Sequence, residues 1–187
     1  MRNFEEIERR FLVDGREEKP WRINSKSSQI KQFYFPEDAM QVKDGVLMMG
    51  EINIILMQPD ELELWNSRPG WGGRLRVRDG LNIVTCKSRK SDDTAYELEW
   101  EVSPEIGEAV GSLGPYPHVE KTRYVWSGVD GGLWEIDEFE GALAGLILAE
   151  IELNSPDQIV EIPKWIGHEI TGLSSWSNRS LADTIGS

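Results

Sequence analysis

Six short stretches of the 187-residue chain carry charges of one sign on alternate residues, and these are the groups that could do chemistry. In Glu5-Glu6-Ile7-Glu8-Arg9-Arg10-Phe11-Leu12-Val13, the side chains of Glu6, Glu8 and Arg10 lie two residues apart. An extended strand alternates its faces, so two carboxylates and a guanidinium share one side while Ile7, Phe11 and Val13 take the other. The pattern recurs as acidic rows at Glu97/Glu99/Glu101, Glu135/Asp137 and Glu150/Glu152. Basic rows follow the same spacing at Arg74/Arg76/Arg78 and Lys121/Arg123, with Lys87 on a strand of its own. Like charges two residues apart repel, so the arrangement gains nothing locally. Any one pair reads as a solvated strand face. Six together read as one shared site, in which acidic and basic strands face one another or face a ligand with metal ions. Guanidinium groups pair bidentately with phosphate oxygens, and carboxylates suit hard ions such as Mg2+ or Mn2+ that also bridge phosphates. A linear triphosphate carrying a divalent metal needs both sets at once.

The elements that would position these rows are mostly strands. Residues 29–35 form a second β-rich run ended by Pro36, and Asp79-Gly80 marks a tight hairpin between runs 74–78 and 82–87. Within 36–72, Val46–Met49 and Ile52–Met57 suggest a hairpin around Gly50-Glu51, and the Pro and Gly residues nearby suggest turns. This segment reads as an insertion in which Trp65 and Trp71 cover apolar surface. Ser103-Pro104 predicts an N-capped helix running toward Leu113. Ser155-Pro156-Asp157-Gln158 has capping-box spacing and predicts another that stops near Pro163. Ser177–Asp183 suggests a final helical turn or two. Strands at short intervals with few helices give a mainly β (α+β) class with an antiparallel sheet. If that sheet closes, with charged faces inward, a barrel of about eight strands leaves room for one small ligand.

The totals set bounds on this reading. The chain is long enough for one sizeable core and shows no dividing linker, so residues 1–187 read as a single domain. The net charge of −13, from 33 acidic and 20 basic residues, disfavours nucleic acid and anionic membrane as partners. The charged rows, which would gather cations in one place, make a small-molecule triphosphate the expected partner, with a homodimer compatible with the sequence. One cysteine, Cys86, excludes an internal disulfide. With no apolar leader and no spanning run, a cytoplasmic location is expected. No Gly-rich phosphate loop is present.

Glu6-Ile7-Glu8-Arg9-Arg10-Phe11-Leu12-Val13 resembles the E-x-E-x-K signature of the CYTH superfamily, the triphosphate tunnel metalloenzymes. The other rows resemble it in the same order: Arg76-Val77-Arg78, Thr85-Cys86-Lys87, Glu99-Trp100-Glu101, Glu120–Tyr124, Trp134–Gly141, Ala149–Glu152 and Trp165–Thr171. The resemblance covers nearly the whole chain outside 36–72. It implies a closed eight-stranded antiparallel β tunnel with flanking short helices. It also implies divalent-metal-dependent hydrolysis of inorganic triphosphate or a related triphosphate, as in the bacterial triphosphatase branch. The alternatives within the resemblance are a class IV-type adenylyl cyclase and a thiamine triphosphatase; a polyphosphate- or nucleotide-binding module without turnover is a further one. By the same resemblance Glu6, Glu8, Glu150, Glu152 and Asp137 would ligate metal. Arg10, Arg76, Arg78, Lys87, Lys121 and Arg123 would hold phosphates. Glu99 and Glu101 would serve a second metal or orient water, with Glu97/Glu99 as the alternative pairing. Two departures stand out. The signature lysine is Arg10, which puts any acid role there in doubt, and the C-terminal D-x-R-Y-x-N stretch reads Leu173-Ser174-Ser175-Trp176-Ser177-Asn178, leaving Arg179 as a substitute cation.

Overall fold

The computed structural model describes residues 3–23 and 25–186. In chain order the elements are β1 (Glu5–Val13) and β2 (Lys26–Tyr34), then β3 (Met40–Lys43), β4 (Val46–Met49), β5 (Ile52–Leu56) and α1 (Pro59–Ser67). They continue with β6 (Gly72–Arg78), β7 (Leu81–Arg89), β8 (Thr94–Val102) and α2 (Pro104–Gly111). The last are β9 (His118–Ser127), β10 (Leu133–Phe139), β11 (Ile147–Leu153), β12 (Ile166–Glu169) and α3 (Asn178–Ile185). Eight strands run in the order β11-β10-β9-β2-β6-β7-β8-β1, and β1 also pairs with β11, which closes the sheet. The pairings are antiparallel throughout. The expected closed, eight-stranded antiparallel barrel with short helices is the observed architecture. At the β6–β7 turn, Asp79 and Gly80 both take positive φ (48° and 87°), the backbone a two-residue hairpin needs.

This barrel turns its apolar faces outward and covers them. Leu75, Val84, Cys86 and Leu98 lie outside β6–β8 and pack under Phe35, Met40, Leu47, Met49, Ile54 and Met57, with Val110 of α2 beside them. The chain between β2 and β6 therefore folds as a second, three-stranded sheet (β3-β4-β5) plus α1 that serves as an outer cover. The hairpin around Gly50 is present, but α1 is not foreshadowed by the usual Ser, Thr, Asp or Asn cap. Its cap is Gln58, whose backbone N–H donates to Glu61 Oε2 at 2.7 Å. Trp65 and Trp71 stack on one another at 5.2 Å, as surface-covering rings would. On the opposite flank Ile7, Phe11, Ile136 and Ile151 are covered by Trp21, which is fully buried and donates its indole N–H to Glu138 at 2.8 Å.

Gly73 marks where the cover touches the barrel. A Cβ there would stand 2.8 Å from Phe35 Cδ2 and 2.9 Å from Met40 Cγ. Gly73→Ala should therefore destabilise the chain by about 1–3 kcal/mol through overpacking, read as a lowered denaturation midpoint. An unchanged midpoint would show that the two layers are only loosely apposed.

The predicted helix from Ser155 to Pro163 is absent. Gln158 N–H closes one turn onto the Ser155 carbonyl at 3.1 Å, while its side-chain oxygen accepts from Asn154 N–H instead of capping a helix. Glu161 N–H donates to Asp130 Oδ2 at 3.0 Å. Ile159 is 96% exposed and Val160 buried, so a helix here would have had no continuous apolar face to dock, and short helices form only where one is docked. Ser103 does cap α2 as expected, accepting from Ile106 N–H, and the expected final helical turns form α3, which Ser177 caps by accepting from Ser180 N–H.

One end of the barrel interior is filled. Leu12, Tyr34, Val119, Phe139 and Leu148 continue the inward rows of five strands, and Ile170 with Ala182 and Leu181 of α3 packs onto them. The charged rows begin directly above this apolar floor.

Candidate functional site

Alternation along the barrel strands places the rows on one inner wall. Glu6, Glu8 and Arg10 come from β1, Arg74, Arg76 and Arg78 from β6, Lys87 from β7, and Glu97, Glu99 and Glu101 from β8. Lys121 and Arg123 come from β9, Glu135 and Asp137 from β10, and Glu150 and Glu152 from β11. Register brings opposite signs together where rows meet: Arg10 opposes Glu150, and Asp137 opposes Arg123.

The tightest part is a continuous chain of ion pairs. Lys121 and Asp137 are fully buried and 2.5 Å apart. Arg123 grips both oxygens of Asp137 at 2.7 Å each, contacts Glu135, and reaches Glu150 at 3.2 Å. Arg10 continues the chain to Glu150 at 2.7 Å and Glu8 at 3.0 Å. Burial pushes the Asp137 carboxyl up, but Arg123 and then Lys121 outweigh it and hold it well below the usual carboxylate range. Glu150 is likewise raised by burial yet drawn down to about 2 by Arg10 and Arg123. Burial lowers the Lys121 ammonium to about 8, with Asp137 opposing. On the other side Lys87 bonds Glu6 and sits 2.7 Å from Glu97.

Two cations are held differently. Arg74 is no nearer than 3.8 Å to Glu97 and 3.9 Å to Glu99, and Arg76 lies 3.8 Å from Glu99. The Nε of each is buried and donates to no described group. Burial and then Arg74 disfavour the Arg76 cation. Glu99 is itself held by Thr85, whose hydroxyl donates at 3.0 Å. Guanidinium groups buried without close counter-ions have spare donors for an anion, and a phosphate chain supplies acceptors in the right geometry.

Carboxylates on the remaining wall are pushed the other way, although Glu8 bonds Arg10 and Glu6 bonds Lys87. Glu8 and Glu152 are direct cross-strand partners. Burial and then Glu150 push the Glu8 carboxyl up, and burial with Glu135 pushes Glu152 up. Burial also raises Glu6 against the pull of Lys87. Among the described residues no three acidic, His or Cys groups converge as a ready-made metal cage. The donor set still fits a hard cation: Mg2+ is characteristically bound by one or two carboxylates, with phosphates and water completing its shell.

These opposed shifts set a pH signature. Groups with raised folded pKa (Glu6, Glu8, Glu152) stabilise below about 4.5, and that contribution is lost as pH rises through their folded values. Groups with lowered pKa (Asp137, Glu150) stabilise above their unfolded values and lose this as pH falls, Glu150 contributing about 3 kcal/mol. The melting temperature of the metal-free protein, followed from about pH 7 to about pH 2, should first rise and then fall. A monotonic fall would contradict the pairing described.

Of the residues singled out from sequence, all but Arg179 lie on the inner wall. Arg179 sits on α3 and donates to the Phe35 carbonyl at 2.8 Å, tying the helix to the end of β2 and joining none of the wall charges. Asp137 is on the wall, but its oxygens are committed to Lys121 and Arg123. Arg74, Thr85, Gln32 and Tyr34 share the wall and were not assigned roles. For Arg74 the signal was present in its spacing from Arg76. For Gln32 and Tyr34 it lay only in the inward alternation of β2.

No family model matches the chain. It is 36% identical over 109 residues to an inorganic triphosphatase of Acetivibrio thermocellus, the match covering 58% of this chain and 69% of that protein. It is 44% identical over 115 residues to an inorganic triphosphatase of Nitrosomonas europaea, covering 60% and 75%. The crystal structure of the inorganic triphosphatase NE1496 superimposes with a TM-score of 0.55 at 27% identity, covering 94% of this chain and 96% of that one. Among the described residues no helix is long and apolar enough to cross a membrane.

Proposed function

Because the chain belongs to the CYTH superfamily of triphosphate tunnel enzymes, in its inorganic triphosphatase branch, we propose that it hydrolyses inorganic triphosphate to pyrophosphate and orthophosphate. The observation that carries the reading is the pair Arg74 and Arg76, partly buried guanidinium groups facing the lumen whose buried Nε donors have no partner among the described residues. Arg78, Lys87, Lys121 and Arg123 extend that cationic lining, and Arg10 stands at the acidic side.

The chain's own residues divide the work. The arginines and lysines bind the phosphate oxygens and neutralise the charge that accumulates on them as the anhydride bond breaks. Asp137 holds Lys121 and Arg123 in place, so the cations are aligned before substrate arrives. Glu8 and Glu152, with Glu6 and Glu150 beside them, are the carboxylates we assign to Mg2+ or Mn2+, and Glu99 with Glu101 to a second such ion. A bound divalent cation would supply polarisation of the phosphoryl oxygens and charge neutralisation. The apolar floor fills the interior at one end of the barrel.

Purified protein given inorganic triphosphate with Mg2+ or Mn2+ should release orthophosphate, and Glu8→Gln should raise the metal concentration needed for half-maximal rate. With ATP and Mn2+ the product should contain no cyclic AMP. Absence of phosphate release with either metal would end the proposal.

A further inference from the structure

We infer that Gln32 is a catalytic residue, its side-chain carbonyl positioning the water that attacks the terminal phosphorus. This role presupposes the hydrolysis proposed above. Gln32 lies on β2, one inward step above the floor residue Tyr34, and is fully buried. Its cross-strand neighbours are Arg76 on β6 and Val119 on β9, and Lys121 is the next inward residue after Val119. Its amide Nε2 donates to the Tyr34 hydroxyl at 2.6 Å. That bond turns the carbonyl away from Tyr34, and Oε1 accepts from no described group although it is buried.

A buried acceptor without a donor is costly, so Oε1 beside Arg76 calls for a donor from outside the chain. The substrate is a polyanion and brings acceptors. Its phosphates can use Arg74, Arg76 and Lys121, but they offer little to a carbonyl oxygen. The donor that reaction requires is water. A carbonyl oxygen there accepts one water hydrogen and directs a water lone pair toward phosphorus. The water oxygen bonds to the terminal phosphorus, and the bridging P–O bond breaks with its electron pair passing to pyrophosphate. One water proton stays on the new orthophosphate and the other ends on pyrophosphate. Gln32 exchanges no proton; it orients.

The test compares Gln32→Leu and Gln32→Glu with wild type, using inorganic triphosphate and Mg2+. Gln32→Leu should lower kcat by about a hundredfold while KM stays within about twofold. Its melting temperature should change little, because removal of an unpaired buried acceptor offsets loss of the hydrogen bond to the Tyr34 hydroxyl. Gln32→Glu keeps an acceptor oxygen at the same reach and should retain more activity than Gln32→Leu. If Gln32→Leu does not fold, Gln32→Met, of similar length, takes its place. Wild-type kcat in the leucine or methionine variant would overturn the assignment. So would a raised KM with unchanged kcat, which would make Gln32 a phosphate donor, and so would equal losses in the Leu and Glu variants. Wild-type protein that releases no phosphate would remove the triphosphatase reading itself, an outcome distinct from these.

Discussion

Arg76→Ala is expected to lower triphosphate hydrolysis by about 10²–10³-fold, a loss of about 2.7–4 kcal/mol of transition-state stabilisation, while the protein melts no lower than wild type. The two halves of this result have one cause. Arg76 is disfavoured as a cation by burial and by Arg74, its nearest carboxylate is 3.8 Å away, and its Nε has no described partner. Removing it relieves repulsion in the free protein and removes a donor set from the bound one. Rate assays and thermal denaturation on the same preparation read both effects. A large drop in melting temperature with unchanged turnover would mean that the protein, not the substrate, is what Arg76 serves.

Asp137→Ala is expected to produce the opposite balance, a loss of about 3–5 kcal/mol in stability, because it strands two buried cations. Lys121 is fully buried at 2.5 Å from Asp137, and Arg123 binds both of its oxygens at 2.7 Å. For a chain of this size the change corresponds to a fall of roughly 6–20 °C in melting temperature. Asp137 raises the Lys121 value of about 8, so in the variant Lys121 sheds its proton at lower pH and the loss should shrink as pH rises toward about 8. Triphosphatase activity should fall as well, since neither cation would be held in register. A shift under about 1 kcal/mol would show that Lys121 and Arg123 find other counter-ions, and the proposed alignment role would fail.

How much of this was legible beforehand can be followed residue by residue. The inward position of Glu8, Arg78, Arg123 and Glu152 came from strict alternation, which a strand imposes whatever surrounds it. The Asp79-Gly80 turn was readable because few residue pairs tolerate two positive φ values in succession. The Ser155 capping box misled, because a cap only starts a helix and apolar packing has to sustain it; Glu161 found Asp130 instead. The cover formed by residues 36–72 was unreadable for a related reason: its Met- and Leu-rich strands say that something is buried, not against what.

Sequence by itself determined the strand periodicity, the sign of each charged row and the family pattern that joins them, because these depend on local backbone geometry and residue type alone. Only the tertiary structure decided which cations would be satisfied and which left open. Closure set Arg123 against Asp137 and Arg10 against Glu150, yet left Arg74, Arg76 and the Gln32 carbonyl without close partners among the described residues. That division follows from long-range register and side-chain reach, which no local rule contains. It is why the acidic side of the lumen is suited to cations and the basic side to a chain of phosphates.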